Sequence, residues 1–88
     1  MRVDELLVDR LIELYCDWRM ACGEVRAAYE RFCRACASDR ALAFAAYAAA
    51  LDREQSACDD YAGQIDVIAS RHSNPGDRPR LRQAYGRA

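Results

Sequence analysis

From Leu7 the chain places apolar side chains at alternating steps of four and three: Leu7, Leu11, Leu14, Trp18, Ala21, Val25, Ala28, Phe32 and Ala35. This spacing keeps one stripe of an α-helix turned toward a partner helix, because two helical turns advance about seven residues. A second apolar column, Val8, Tyr15, Cys22, Tyr29 and Cys36, runs beside the first. The apolar sector is therefore wider than a two-stranded coiled coil needs. Asp4 and Glu5 put negative charge where a helix N-terminus favours it, and no proline comes before Pro75. These signals predict a helix over about 4–36. Gly23 falls on its polar side and weakens it by about 1 kcal/mol relative to alanine.

In the segment CASDR, Ser38 and Asp39 are good N-cap residues, and the spacing predicts a tight turn at about 37–39. A second helix is expected over about 39–71. Its predicted seam is Phe44, Tyr47, Leu51, Glu54, Cys58, Tyr61, Ile65 and Ile68, apolar except at Glu54. Asp52, Asp59 and Asp66 recur every seven residues on an outer face as an acidic stripe. Asn74, Pro75, Gly76 and Pro79 end the helix.

The expected fold is all-α: two long antiparallel helices forming a coiled-coil-like hairpin over 1–71. Closing the turn brings Phe32 near Phe44 or Tyr47, Val25 near Leu51 or Glu54, and Leu11 near Ile65 or Ile68. Two helices cannot cover two wide apolar sectors by themselves. Pairing of hairpins into a four-helix bundle, or docking on another helical protein, would cover the remainder.

The run ALAFAAYAAAL, residues 41–51, is uncharged, yet Arg40 and Asp52 bracket it. A membrane-spanning helix needs about 20 apolar residues, so this run reads as the start of the second helix. Phe44, Tyr47 and Leu51 fall on the expected seam, whereas Leu42, Ala45, Ala46 and Ala49 have no partner within the hairpin. With Tyr15, Trp18, Cys22 and Tyr29 they make up the expected interaction face.

Length and charge limit the rest. The chain has 88 residues, a single domain at most, and its own core is marginal. Apolar residues at 52% argue against disorder. All 13 basic residues are arginine, which points to the codon usage of a GC-rich bacterial genome rather than to arginine chemistry. Residues 1–71 carry nine arginines and 13 acids, a net −4, whereas residues 72–88 carry four arginines and one aspartate, a net +3. The tail is expected to be basic and flexible. Arg78, Arg80, Arg82 and Arg87 are its candidate contacts to phosphate or an acidic partner. Four arginines are weak support for a nucleic-acid or transcription-machinery role.

Candidate chemistry is sparse. Residues 1–10 hold three acids and no uncharged apolar stretch of signal-peptide length, so no signal peptide is expected. Five irregularly spaced cysteines suit a reduced, cytoplasmic protein better than a disulfide framework. Cys33 and Cys36 form a lone C-x-x-C pair near a helix C-terminus, where the dipole disfavours thiolates. A thiol or metal sensor built on Cys22, Cys33, Cys36 and Cys58 is the less favoured reading, and buried cysteines acting as small hydrophobes the better one. No metal or cofactor is expected.

Glu54 is the irregular position. An unpaired carboxylate in a seam must reach solvent, pair with an arginine such as Arg19 or Arg26, or serve a function. The favoured reading is a polar residue that fixes register. No Gly-rich loop, Ser–His–acid set or HExxH accompanies it, so the expectation is a non-enzymatic self-association or protein-interaction module with an adaptor or regulatory role.

Overall fold

A computed structural model describes residues 2–72. Helix α1 spans Arg2–Arg34 and helix α2 spans Arg40–His72, each 33 residues long. They pack against each other as an antiparallel hairpin. The basic tail falls outside the described residues except for His72, which closes α2.

The connection at 35–39 starts two residues earlier than the spacing predicts and leaves Cys36 outside α1. The Ala35 N–H bonds back to the Phe32 carbonyl at 3.2 Å, and the Asp39 N–H to the Cys36 carbonyl at 3.0 Å. The Asp39 carbonyl accepts the first bond of α2, from the Ala43 N–H at 2.9 Å, which makes Asp39 its N-cap. Arg40 ties the turn from outside. Its guanidinium lies 5.9 Å from the Phe32 ring centroid and donates to the Ala35 carbonyl at 3.5 Å.

All nine expected seam residues of α1 are buried or half-buried. Helix α2 departs from its expected seam by one column. Tyr47, Glu54, Tyr61 and Ile68 face α1 as predicted, but they are joined by Ala43, Ala50, Ala57 and Gln64. Phe44, Leu51 and Ile65 lie on the flank, 54%, 40% and 40% exposed, with half-buried Cys58 in the same column. The physical reason is size. Among the described residues only Leu14, Ala21, Ala28 and Ala50 are buried, and three of the four are alanines. Small side chains let two helices approach closely over their length, whereas a column of Phe, Leu and Ile between them would hold the backbones apart.

Register is set by aromatic contacts. Near the turn, Phe32 meets Phe44 at 5.7 Å and stacks on Tyr47 at 6.3 Å, and Tyr29 meets Tyr47 at 5.5 Å. Midway, Tyr15 and Trp18 contact Tyr61 at 5.6 and 5.7 Å. At the open end the Gln64 amide donates to the Leu7 carbonyl at 2.9 Å, and Arg71 donates to Asp4 at 2.8 Å. Phe32 thus meets both of its expected partners. The register of these aromatic pairs sets Val25 level with position 51 and Leu11 level with position 65, where Leu51 and Ile65 lie on the flank of α2. Among the described residues no helix is long and apolar enough to cross a membrane.

Candidate functional site

Helical geometry assigns each flank of the hairpin a side. In an antiparallel pair, the same flank of both helices falls on one broad face. One face takes Val8, Tyr15, Cys22 and Tyr29 from α1 and Phe44, Leu51, Cys58 and Ile65 from α2. None of these eight side chains is charged. The opposite face carries Arg10, Asp17, Glu24, Arg31, Arg53 and Asp60, with Arg53 and Glu24 paired at 3.6 Å across the helices. The hairpin is therefore amphipathic as a whole, with one uncharged face and one charged face.

The uncharged face is open. Val8, Tyr15, Tyr29, Phe44, Leu51 and Ile65 are each between 40% and 54% exposed. Of the residues expected to form an interaction face, Tyr15, Cys22 and Tyr29 lie here, and Trp18 is half-buried in the seam beneath them. Leu42, Ala45, Ala46 and Ala49 are exposed as expected, but on the outer and opposite sides of α2. The expected set is thus split between two surfaces. Phe44, Leu51 and Ile65 were missed as surface residues because their size suggested burial. The available signal was the alanine column one residue before each of the first two.

Under this face, Trp18 stacks on Tyr61 with the rings 13° from parallel, and its indole N–H donates to Glu54 Oε2 at 2.7 Å. Of the outcomes expected for Glu54, solvent, an arginine such as Arg19 or Arg26, or a function, none named the indole that it meets. The bond is charge-assisted and half-buried, so it favours the one alignment that sets Glu54 opposite Trp18. Among the described residues, the indole is the one side chain hydrogen-bonded to this carboxylate. Glu54 therefore has a partner suited to fixing register and none suited to proton transfer.

The five cysteines are free thiols. The expected suppression of the Cys36 thiolate by the α1 C-terminus is corrected, because Cys36 sits in the connection ahead of α2. Its Sγ lies 3.2 Å from Ser38 Oγ and 3.4 Å from Asp39 Oδ2. The Ser38 hydroxyl, then the Asp39 backbone N–H, hold the Cys36 thiol below its ordinary pKa, partly opposed by the Asp39 carboxylate. Cys33 and Cys36 lie at the turn, and Cys22 and Cys58 far along the helices from it. Among the described residues no three His, Cys, Asp or Glu side chains converge as metal ligands. Arg78, Arg80, Arg82 and Arg87 lie outside the described residues.

No protein-family model, curated protein or solved structure matches the chain.

Proposed function

We propose that the chain is a non-enzymatic, cytoplasmic protein-interaction module of adaptor or regulatory type, which works by burying the uncharged face of its hairpin against other helices. The observation that carries this reading is the face itself: eight uncharged positions on one side of the hairpin, with the large ones half open to water. From Val8 to Tyr29 the face runs about 32 Å at ~1.5 Å per residue, and two helices side by side make it about 20 Å wide. That is roughly 640 Å², within the ~600–1,000 Å² per partner of a stable interface. A two-helix layer covered on this face becomes a four-helix bundle, which supplies the core that a hairpin lacks.

Sedimentation across micromolar concentrations tests the reading, with Leu51→Asp and Ile65→Asp combined as the control. The natural chain assembles and the variant stays monomeric with its helix content kept. A stable monomeric natural chain that also binds no apolar dye overturns the proposal.

The +3 charge of residues 72–88 against −4 for the remainder supports a second reading, a regulator touching nucleic acid through its tail. It requires binding that weakens with salt and is lost on deleting residues 77–88. Absence of binding at low salt removes it.

A further inference from the structure

We infer that the partner on the uncharged face is a second copy of this chain, related by a two-fold axis parallel to the helices, so that α1 of each copy lies along α2 of the other and both turns point the same way. The inference rests on the uncharged face being the working surface, and adds the identity and orientation of its occupant.

Charge along the two edges of the face carries the orientation. At the α1 edge stand Arg19 and Arg26, seven residues apart and exposed. On α2 the column that borders the face is Ala48, Gln55 and Ala62, and Asp52 and Asp59, also seven apart and exposed, stand one column beyond it on the outer side. None of the four forms an ion pair among the described residues, although Asp59 accepts a bond from Gln55 at 3.0 Å. Within one hairpin these edges face away from each other.

Register then decides which charges meet between copies. The pairs Tyr15–Tyr61, Tyr29–Tyr47 and Phe32–Phe44 each sum to residue index 76, so position n of α1 lies level with position 76 − n of α2. A two-fold axis along the helices preserves these levels between copies. Arg19 then lies level with position 57 of the other copy and Arg26 with position 50. Asp59 and Asp52 are each two residues further along, an axial offset of about 3 Å at ~1.5 Å per residue, which leaves most of an arginine's length for the span between the two helices. Both pairs have the same offset. Ala48 and Ala62 on the α2 edge leave room for the arginine stems. By symmetry the dimer gains each pair twice. The other face-to-face arrangement, with the axis across the helices, lays α1 on α1 and α2 on α2. It sets arginine edges against each other and aspartate edges against each other, which like-charge repulsion disfavours.

Two measurements on the full 88-residue chain test this. The first is charge reversal. Arg19→Asp with Arg26→Asp weakens dimerisation about tenfold or more, as does Asp52→Arg with Asp59→Arg, because four attractions become four repulsions. Combining all four restores affinity to near the starting value. Failure of the combination to recover, or tightening by either pair alone, overturns the orientation. The second uses the absence of lysine, which leaves the α-amino group as the chain's single amine for labelling. Mixing donor-labelled and acceptor-labelled chains yields efficient energy transfer, because both starts of α1 lie at one end of the dimer. The crosswise arrangement separates them by about 50 Å, the length of a 33-residue helix. A dimer with weak transfer overturns the inference while leaving the interaction reading in place. A monomer that still binds apolar dye also overturns it and moves the face's occupant to another protein. A monomer without dye binding overturns both.

Discussion

Replacing Trp18 with phenylalanine removes one hydrogen-bond donor from the middle of the hairpin but leaves an aromatic ring over Tyr61. The lost bond is the 2.7 Å contact to Glu54, which is charge-assisted and half-buried. Such bonds contribute about 1.5–3 kcal/mol when dry, and partial exposure lets water replace some of that, leaving ~1–2 kcal/mol. The smaller ring loses a further ~1 kcal/mol of packing. Trp18→Phe is thus expected to destabilise the hairpin by about 2–3 kcal/mol. Glu54→Met removes the carboxylate at similar volume. In that background Trp18→Phe is expected to cost only the packing part, ~1 kcal/mol, so the two substitutions couple by about 1–2 kcal/mol. Urea unfolding followed by far-UV circular dichroism measures all four corners of the cycle. The measurements share one protein concentration, because assembly adds concentration-dependent stability. A coupling below about 0.5 kcal/mol would show that the indole–carboxylate bond does not help to set register, and would refute the reasoning.

Gly23 and Gly63 sit inside helices with open space where a Cβ would go, and neither has a positive φ. Gly23→Ala and Gly63→Ala are each expected to stabilise by about 0.5–1 kcal/mol, read as a higher unfolding midpoint. Ala50 is 1% exposed in the seam, so Ala50→Leu is expected to destabilise by about 1–3 kcal/mol through overpacking, measured by the same denaturation. Cys36 is expected to be alkylated fastest of the five thiols near neutral pH, and Ser38→Ala to slow it; peptide mapping after brief iodoacetamide treatment reads both, and equal labelling of exposed Cys16 refutes the claim. The hydrogen bond from Arg71 holds the Asp4 carboxyl below its ordinary 3.8, so its contribution to stability is present above that value and is lost as pH falls through the lower folded-state pKa. Asp4→Asn should flatten this acid limb in a pH series of thermal melts, and an unchanged limb would remove the assignment.

Helix number, helix length and the inner face of α1 were legible in the sequence, because heptad spacing acts locally and α1 has one column of suitable residues, from Leu7 to Ala35, that stands out. The cap of α2 was legible to within Ser38 or Asp39 for the same reason, since capping depends on residues within a single turn, and the structure selects Asp39. The seam of α2 was not. There, Ala43, Ala50 and Ala57 compete with Phe44, Leu51 and Cys58, one residue further on, and hydrophobicity alone favours the larger set. Packing chose the smaller set, because the distance between two backbones is a property of both helices together and alanine shortens it. That choice turned Phe44, Leu51 and Ile65 outward and created the uncharged face. It likewise gave Glu54 the Trp18 indole, from a residue 36 positions earlier in the chain, in place of an arginine. Composition and spacing thus set what the chain could build locally. Which side of α2 faced inward, and therefore which surface is left for a partner, was decided only when the two helices met.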